Sequence, residues 1–150
     1  MGGCAQPKAR EESVSPVVDR LLASRRAVLV GRMLSALAIA FLSMDALGKF
    51  LRPLPVIEGT RALGYDVADI GVLGVLLVTG VILYVIPRTA LLGAIYLTGY
   101  LGGALASHLR IGSPLLTHVL FAVYVALVLW TGLALRRASL ARMLLGIDVR

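Results

Sequence analysis

Four long apolar runs organise the chain, over 27–50, 70–86, 89–109 and 115–135. Each lies in or near the range of about 17 to 25 residues that a helix needs to cross the hydrocarbon core, at about 1.5 Å per residue. A soluble bundle would show polar faces at helical period, and these runs do not. The second, IGVLGVLLVTGVILYVI, has no charge, and only Thr79 and Tyr84 carry polar tips. Barrel strands would alternate polar and apolar residues over about ten positions, which is also absent. The pattern predicts an all-α fold, an integral membrane four-helix bundle running antiparallel, up-down-up-down.

The connections support this reading. Pro87-Arg88 separates the second and third runs, and proline disfavours continuation of the helix. RIGSP, 110–114, separates the third and fourth, with two strong breakers and Ser113 as a candidate cap. Links this short make the joined helices antiparallel neighbours. The long link, 51–69, is stopped at its start by Pro53 and Pro55. Within it Val56, Ile57, Leu63 and Tyr65 suit either a short amphipathic element on the membrane surface or an irregular loop. The domain plan is a flexible N-terminal segment 1–26, a transmembrane domain 27–137 and a tail 138–150.

Composition agrees, with 59% hydrophobic residues and a mean hydropathy of +0.91. Charge adds an orientation. The side with both termini and the Pro87-Arg88 turn carries ten basic residues, the opposite side four (Lys49, Arg52, Arg61, Arg110), and Arg32 snorkels from the first helix toward the basic side. The positive-inside rule then places both termini in the cytoplasm of a multi-pass cell-membrane protein. A net charge of +7 would suggest nucleic acid in a soluble domain. Here the basic residues gather at membrane ends and meet lipid headgroups instead. The sole cysteine, Cys4, excludes an intramolecular disulfide and a CxxC pair. Neither a cleaved signal nor a myristoylation pattern is present at the N-terminus.

Lipid removes much of the hydrophobic drive for helix association, so close packing of small residues is expected to hold the bundle. Gly99, Gly103 and Ser107 repeat at four-residue spacing as a track for a neighbouring backbone, with Ala36 and Ala40 on the first helix and Gly71, Gly74 and Gly80 on the second. The ionic signal is sharper. Asp45 and Lys49 sit four apart on one helical face, and an unpaired carboxylate in lipid costs about 2.5 to 3.5 kcal/mol on insertion scales.

The topology brings His108, Arg110 and His118 into the same noncytoplasmic layer, and Tyr100 lies on the face of His108. Two histidines with Asp45 would supply three metal ligands, but no ligand motif supports them and Lys49 and Arg110 oppose a cation, so no metal is assigned. A hydrogen-bonded polar cluster is the better reading. It contains Asp45, Lys49, Tyr100, His108, Arg110 and His118, with Tyr124 as a weaker candidate. Histidines exchange protons near neutral pH, and the cationic groups orient anions or polar quinone oxygens.

The segments GRMLSALAIAFLSMDALGKFLRP, IEGTRALGY, YVIPRTALLGAIYLTGYLGGALASHLRIGSPL and HVLFAVYVALVLW resemble the DoxX-like family of small four-helix membrane proteins, over about 31–137. The resemblance implies the fold and includes the positions of Asp45, Lys49, His108, Arg110 and His118. It fixes function less closely. The family is broadly related to a membrane subunit of a thiosulfate:quinone oxidoreductase, and other relatives are linked to redox homeostasis or assembly. This chain shows no dinucleotide fingerprint and no cysteine pair.

Three readings follow. The first is a small accessory or structural subunit of a larger membrane assembly, whose partners are lipids and other membrane subunits or further copies of itself, and not nucleic acid. The second is a quinone-linked redox protein or subunit. There Asp45, His108 and His118 manage protons, Lys49 and Arg110 polarise the quinone or hold an anionic donor, and Tyr100 hydrogen-bonds or stacks. The third is a small-solute transporter working as an oligomer.

Overall fold

A computed structural model describes residues 24–144. Helix α1 (Arg25–Leu51) is followed by a short α2 (Leu54–Ala62), α3 (Val67–Val85) and α4 (Ala90–Arg110). A π-helical turn (Leu115–Val119) then runs into α5 (Leu120–Arg136), and α6 (Ala138–Leu144) follows. There is no strand among the described residues. Among the described residues four helices are long and apolar enough to cross a membrane: α1, α3, α4 and the continuous Leu115–Arg136. Most of the expected N-terminal segment, with Cys4, and the end of the C-terminal tail lie outside the described residues. What is described of that tail is α6, which buries Leu140 and Ala141.

Helix ends follow capping chemistry more closely than hydropathy. Ser24 accepts a hydrogen bond from the Ala27 N–H at 3.1 Å and starts α1 ahead of its apolar run. Asp66 and Asp69 form a reciprocal capping box that starts α3 at Val67, three residues before the apolar run. The long link holds a true helix, α2, entered through Pro53, but none of its residues is buried. Ser113 does not cap the last span. Pro114 precedes the π-helical turn without a side-chain cap, and the Ser113 hydroxyl is engaged with His108 instead.

Neighbouring spans meet in a consistent register. Between α1 and α3, Ser35 pairs with Tyr84 and Lys49 lies over Gly74. Between α3 and α4, Gly80 faces Leu97 and Tyr84 faces Gly93. Trp130 of α5 donates to Thr98 of α4 at 2.9 Å, and Gly31 and Ser35 of α1 meet Leu135 and Gly132. In the α1–α3, α3–α4 and α1–α5 pairs the residue numbers rise along one helix as they fall along the other. Large apolar side chains such as Leu37, Met44, Val72, Leu92 and Leu127 point outward, each more than half exposed. Such a surface suits lipid, whose tails are as apolar as leucine.

The small-residue pattern predicts the close approaches of α3, where Gly74 and Gly80 are buried against Lys49 and Leu97, but not those of α1 and α4. Ala36 and Ala40 are exposed, and the buried stripe of α1 is Gly31, Ser35, Ala38, Leu42 and Ala46. A Cβ at Gly31 would stand 2.8 Å from that of Leu135, and one at Gly132 would stand 2.7 Å from the Ser35 hydroxyl. Gly93 lies directly against the backbone of Leu83 and Tyr84. At Gly99 and Gly103, by contrast, a Cβ would meet no atom within 4 Å. Only Ser107 of the expected track is buried.

One methyl group at Gly93 is therefore expected to destabilise the detergent-solubilised bundle by about 1 to 3 kcal/mol through overpacking. Gly99→Ala should leave stability unchanged or slightly raised, because alanine is the better helix former. Thermal unfolding of the two variants checks this, and equal losses would contradict the packing.

Candidate functional site

At the end of the bundle opposite Tyr84, the spans part around a cavity of about 430 Å³. This lies within the range of roughly 300 to 1,000 Å³ typical of small-molecule sites. α4 makes the space. Gly99, Gly103, Ala104 and Ser107 line the cavity with little or no side chain, so this wall of α4 stands back from its neighbours. The small-residue track thus serves as the wall of a site and not as a helix contact at Gly99 and Gly103.

α1 contributes the charges. Lys49 Nζ donates to both Asp45 oxygens, at 2.7 and 2.6 Å. The Lys49 side chain is 14% exposed and that of Asp45 is 42% exposed, so the carboxylate is the more open partner. Placing the lysine in the last turn of α1 also suits the negative end of the helix dipole.

The two histidines come from either side of the RIGSP turn, and their ring centroids are 5.6 Å apart. Each ring has its Nδ1 engaged by a hydroxyl: His108 with Ser113 at 3.1 Å, and His118 with Thr117 at 2.8 Å. Both Nε2 atoms are left out of these bonds. The π-helical turn sets the position of His118. Pro114 accepts from both His118 and Val119 N–H groups, which widens the backbone by one residue where a regular turn would otherwise run. Such one-turn π segments recur at functional sites.

Asp45, Lys49, Tyr100, His108 and His118 all line the cavity, as the topology argument expects. Arg110 does not. Its NH2 donates to the Leu63 carbonyl, which draws the guanidinium away from the cluster and onto the link between α2 and α3. Gly64, with φ +83°, leaves room for it: a Cβ there would stand 2.6 Å from Arg110 NH2. Tyr124 is 46% exposed on the outer face of α5 and takes no part in the lining.

Tyr65 and Thr60 are polar cavity residues that the sequence did not single out for the site, and Tyr65 is the one that reaches another span. Its hydroxyl lies 2.7 Å from Ser107 Oγ. Ser107 donates back to the Gly103 carbonyl at 2.9 Å, so Tyr65 must donate to Ser107. The Tyr65 oxygen retains acceptor capacity beside the cavity. The available signal was Ser107 itself, a buried hydroxyl at the end of a span and in need of a partner. Apolar residues complete the walls, among them Leu73, Leu76 and the edge-to-face pair Phe41 and Phe121, whose centroids are 5.2 Å apart. Among the described residues no group of three or more His, Cys, Asp or Glu is placed to hold a metal ion.

The ion pair is expected to behave as one unit. Asp45→Asn leaves a shielded ammonium without its counter-charge and should cost about 1 to 3 kcal/mol. Lys49→Met leaves the more open carboxylate and should cost less. The double variant should lose less than the sum of the single losses, as a double-mutant cycle on thermal unfolding would show; strict additivity would mean that the pair contributes nothing.

A family model described as the DoxX-like family matches residues 33–132, which includes α3 and α4 whole, most of the first and last spans and every cavity residue named above. No curated protein and no solved structure gives a significant match to the chain.

Proposed function

Because the chain belongs to the DoxX-like family, a small integral membrane protein with four candidate spans, we propose that it is a subunit of a larger assembly in the cell membrane and that its part is to bind the head of a quinone. The observation that carries this reading is the cavity, where ionic and hydrogen-bonding side chains face an apolar, aromatic wall. A molecule with a polar ring and an apolar tail presents the matching surfaces, and the lipid around the spans is where such molecules dissolve.

The side chains fit a quinone head. Tyr100 and Lys49 bring donors for carbonyl oxygens. Asp45, the oxygen of Tyr65 and the histidines bring acceptors for the hydroxyls of the reduced form. When bound, a quinone supplies two-electron redox chemistry. The chain's own residues bind and orient the ring, and His108 and His118 offer Nε2 atoms that are left out of their hydroxyl hydrogen bonds. Phe41, Leu73, Leu76 and Phe121 keep one side of the cavity apolar. Electrons come from a partner subunit, which is the reason for the assembly.

The charge distribution supports the orientation. Arg25, Arg26, Arg88, Arg136 and Arg137 stand at the Tyr84 end of the spans, while Asp45, Glu58, Asp66 and Asp69, the four acidic residues in the described segment, stand at the cavity end. The basic end belongs in the cytoplasm and the cavity toward the opposite face. A reporter fused after Arg150 is expected to be active only if it is of a kind that works in the cytoplasm; activity solely of an extracytoplasmic reporter would reverse the topology.

Purification in mild detergent, with mass spectrometry and an absorption spectrum of the intact assembly, tests the main reading. Partner subunits and a bound quinone are expected. A stable, ligand-free homo-oligomer would sink the proposal. His108→Ala and Asp45→Asn should lower quinone-coupled turnover more than protein abundance, whereas equal loss of both would make the cluster a structural network.

A further inference from the structure

The cavity is covered on one side by the segment between α1 and α3, and that segment is built unlike the rest of the bundle. Its helix α2 buries none of its nine residues, yet Thr60 and the following Leu63 line the cavity. The segment is bounded by two left-handed backbone positions, Arg52 with φ +50° and Gly64 with φ +83°. Left-handed geometry at a non-glycine residue is uncommon and carries strain, and such positions gather at clamps and switch regions. Beyond the second, Tyr65 is pinned to α4 through Ser107, and Asp66 begins the capped helix α3. The fixed structure therefore resumes just after Gly64.

Between these points one side-chain bond ties the segment to α4: Arg110 donating to the Leu63 carbonyl. Thr60, the other polar residue facing the cavity, donates to the Val56 carbonyl within α2 and reaches no other element. The Arg110 contact is exposed, at the end of α4. A hydrogen bond in that setting is worth little net free energy and opens readily.

We propose that α2 and Leu63 form a hinged lid over the cavity, swinging between Arg52 and Gly64, and that Arg110 is its latch. Only Val56, Ile57 and Thr60 of α2 are half-buried and none is fully buried, so α2 can move as a body without opening a void in the core. Gly64 serves twice, as the hinge and as the only residue whose lack of a Cβ admits the guanidinium. The withdrawal of Arg110 from the polar cluster then has a purpose: it controls entry to the site without taking part in binding. The lid governs access to the cavity whatever occupies it, so it stands or falls separately from the quinone reading.

Thiol labelling tests this without any ligand. In a Cys4→Ser background, Gly103→Cys places a thiol on the cavity wall where a Cβ meets no neighbour, and Gly59→Cys places one on the outside of α2, also in open space. A water-soluble maleimide should label the Gly103 position about three to ten times faster when Arg110→Met is added, the scale set by loss of one hydrogen bond. Labelling at the Gly59 position should not change, and Arg110→Lys, which keeps a donor, should fall between. Hydrogen exchange on the unaltered chain provides a second measurement, with the α2 amides expected to exchange together and faster than those of α1 and α3. Labelling of the Gly103 position at the same rate with and without Arg110, or α2 amides as protected as those of α3, would overturn the lid.

Discussion

The structure depends most on one tyrosine. The Tyr84 hydroxyl donates to the Leu129 carbonyl at 2.8 Å and, with its proton so committed, accepts from Ser35 at 3.1 Å. α3 is thereby tied to α5 and α1 at one level. Gly93 of α4 lies against the Tyr84 backbone, and the Arg136 guanidinium stands 5.1 Å from the ring centroid, a favourable cation–π contact. All four spans meet at this residue. With no hydrophobic drive between helices in lipid, close packing and internal hydrogen bonds of this kind hold a bundle together, and the glycines around Tyr84 are what let the backbones approach.

Closure at one end permits opening at the other. α4 uses its glycines in two opposite ways along its length. Gly93 is filled by a neighbouring backbone, whereas Gly99 and Gly103, two and three turns on, face a cavity. The polar side chains follow the same division. At the closed end the Tyr84 and Ser35 hydroxyls are bonded to one another and to the Leu129 carbonyl. Those at the far end, including the Asp45–Lys49 pair and the two histidines, retain unused hydrogen-bonding capacity toward the cavity. Buried polar groups in a membrane protein are expensive, and where they persist they mark function more often than stability.

The spans were legible in the sequence because apolar length is a direct consequence of bilayer thickness. Their ends were less so: hydropathy discards Asp69, while the capping box with Asp66 makes it part of the helix. The shared layer of Asp45, Lys49, Tyr100, His108 and His118 was also legible, since short links fix which ends lie together. Three features were not. Four-residue spacing of small residues looks the same whether they accept a backbone or leave a hollow, so Gly99 and Gly103 could not be told from Gly93. Arg110 counts toward a layer by position alone, yet its long side chain reaches the Leu63 carbonyl. The π-helical turn at His118 depends on hydrogen bonds to Pro114 that no periodicity reports.

The position of Arg110 also decides the electrical character of the cavity. With Arg110 inside, the cluster would carry two cations against one carboxylate and would favour an anionic guest. With Arg110 drawn to the lid, the lining has one fixed cation, Lys49, bonded to one anion, Asp45, beside two imidazoles whose Nδ1 atoms are each engaged by a hydroxyl. A charged guest would have to break that pair or enter without a counter-ion, and either course is costly where water is scarce. A neutral molecule with carbonyl or hydroxyl groups needs neither, because it can add hydrogen bonds to an ion pair that stays intact. The latch that covers the site thus also keeps a second fixed cation out of it, and an anionic donor is the less suitable occupant.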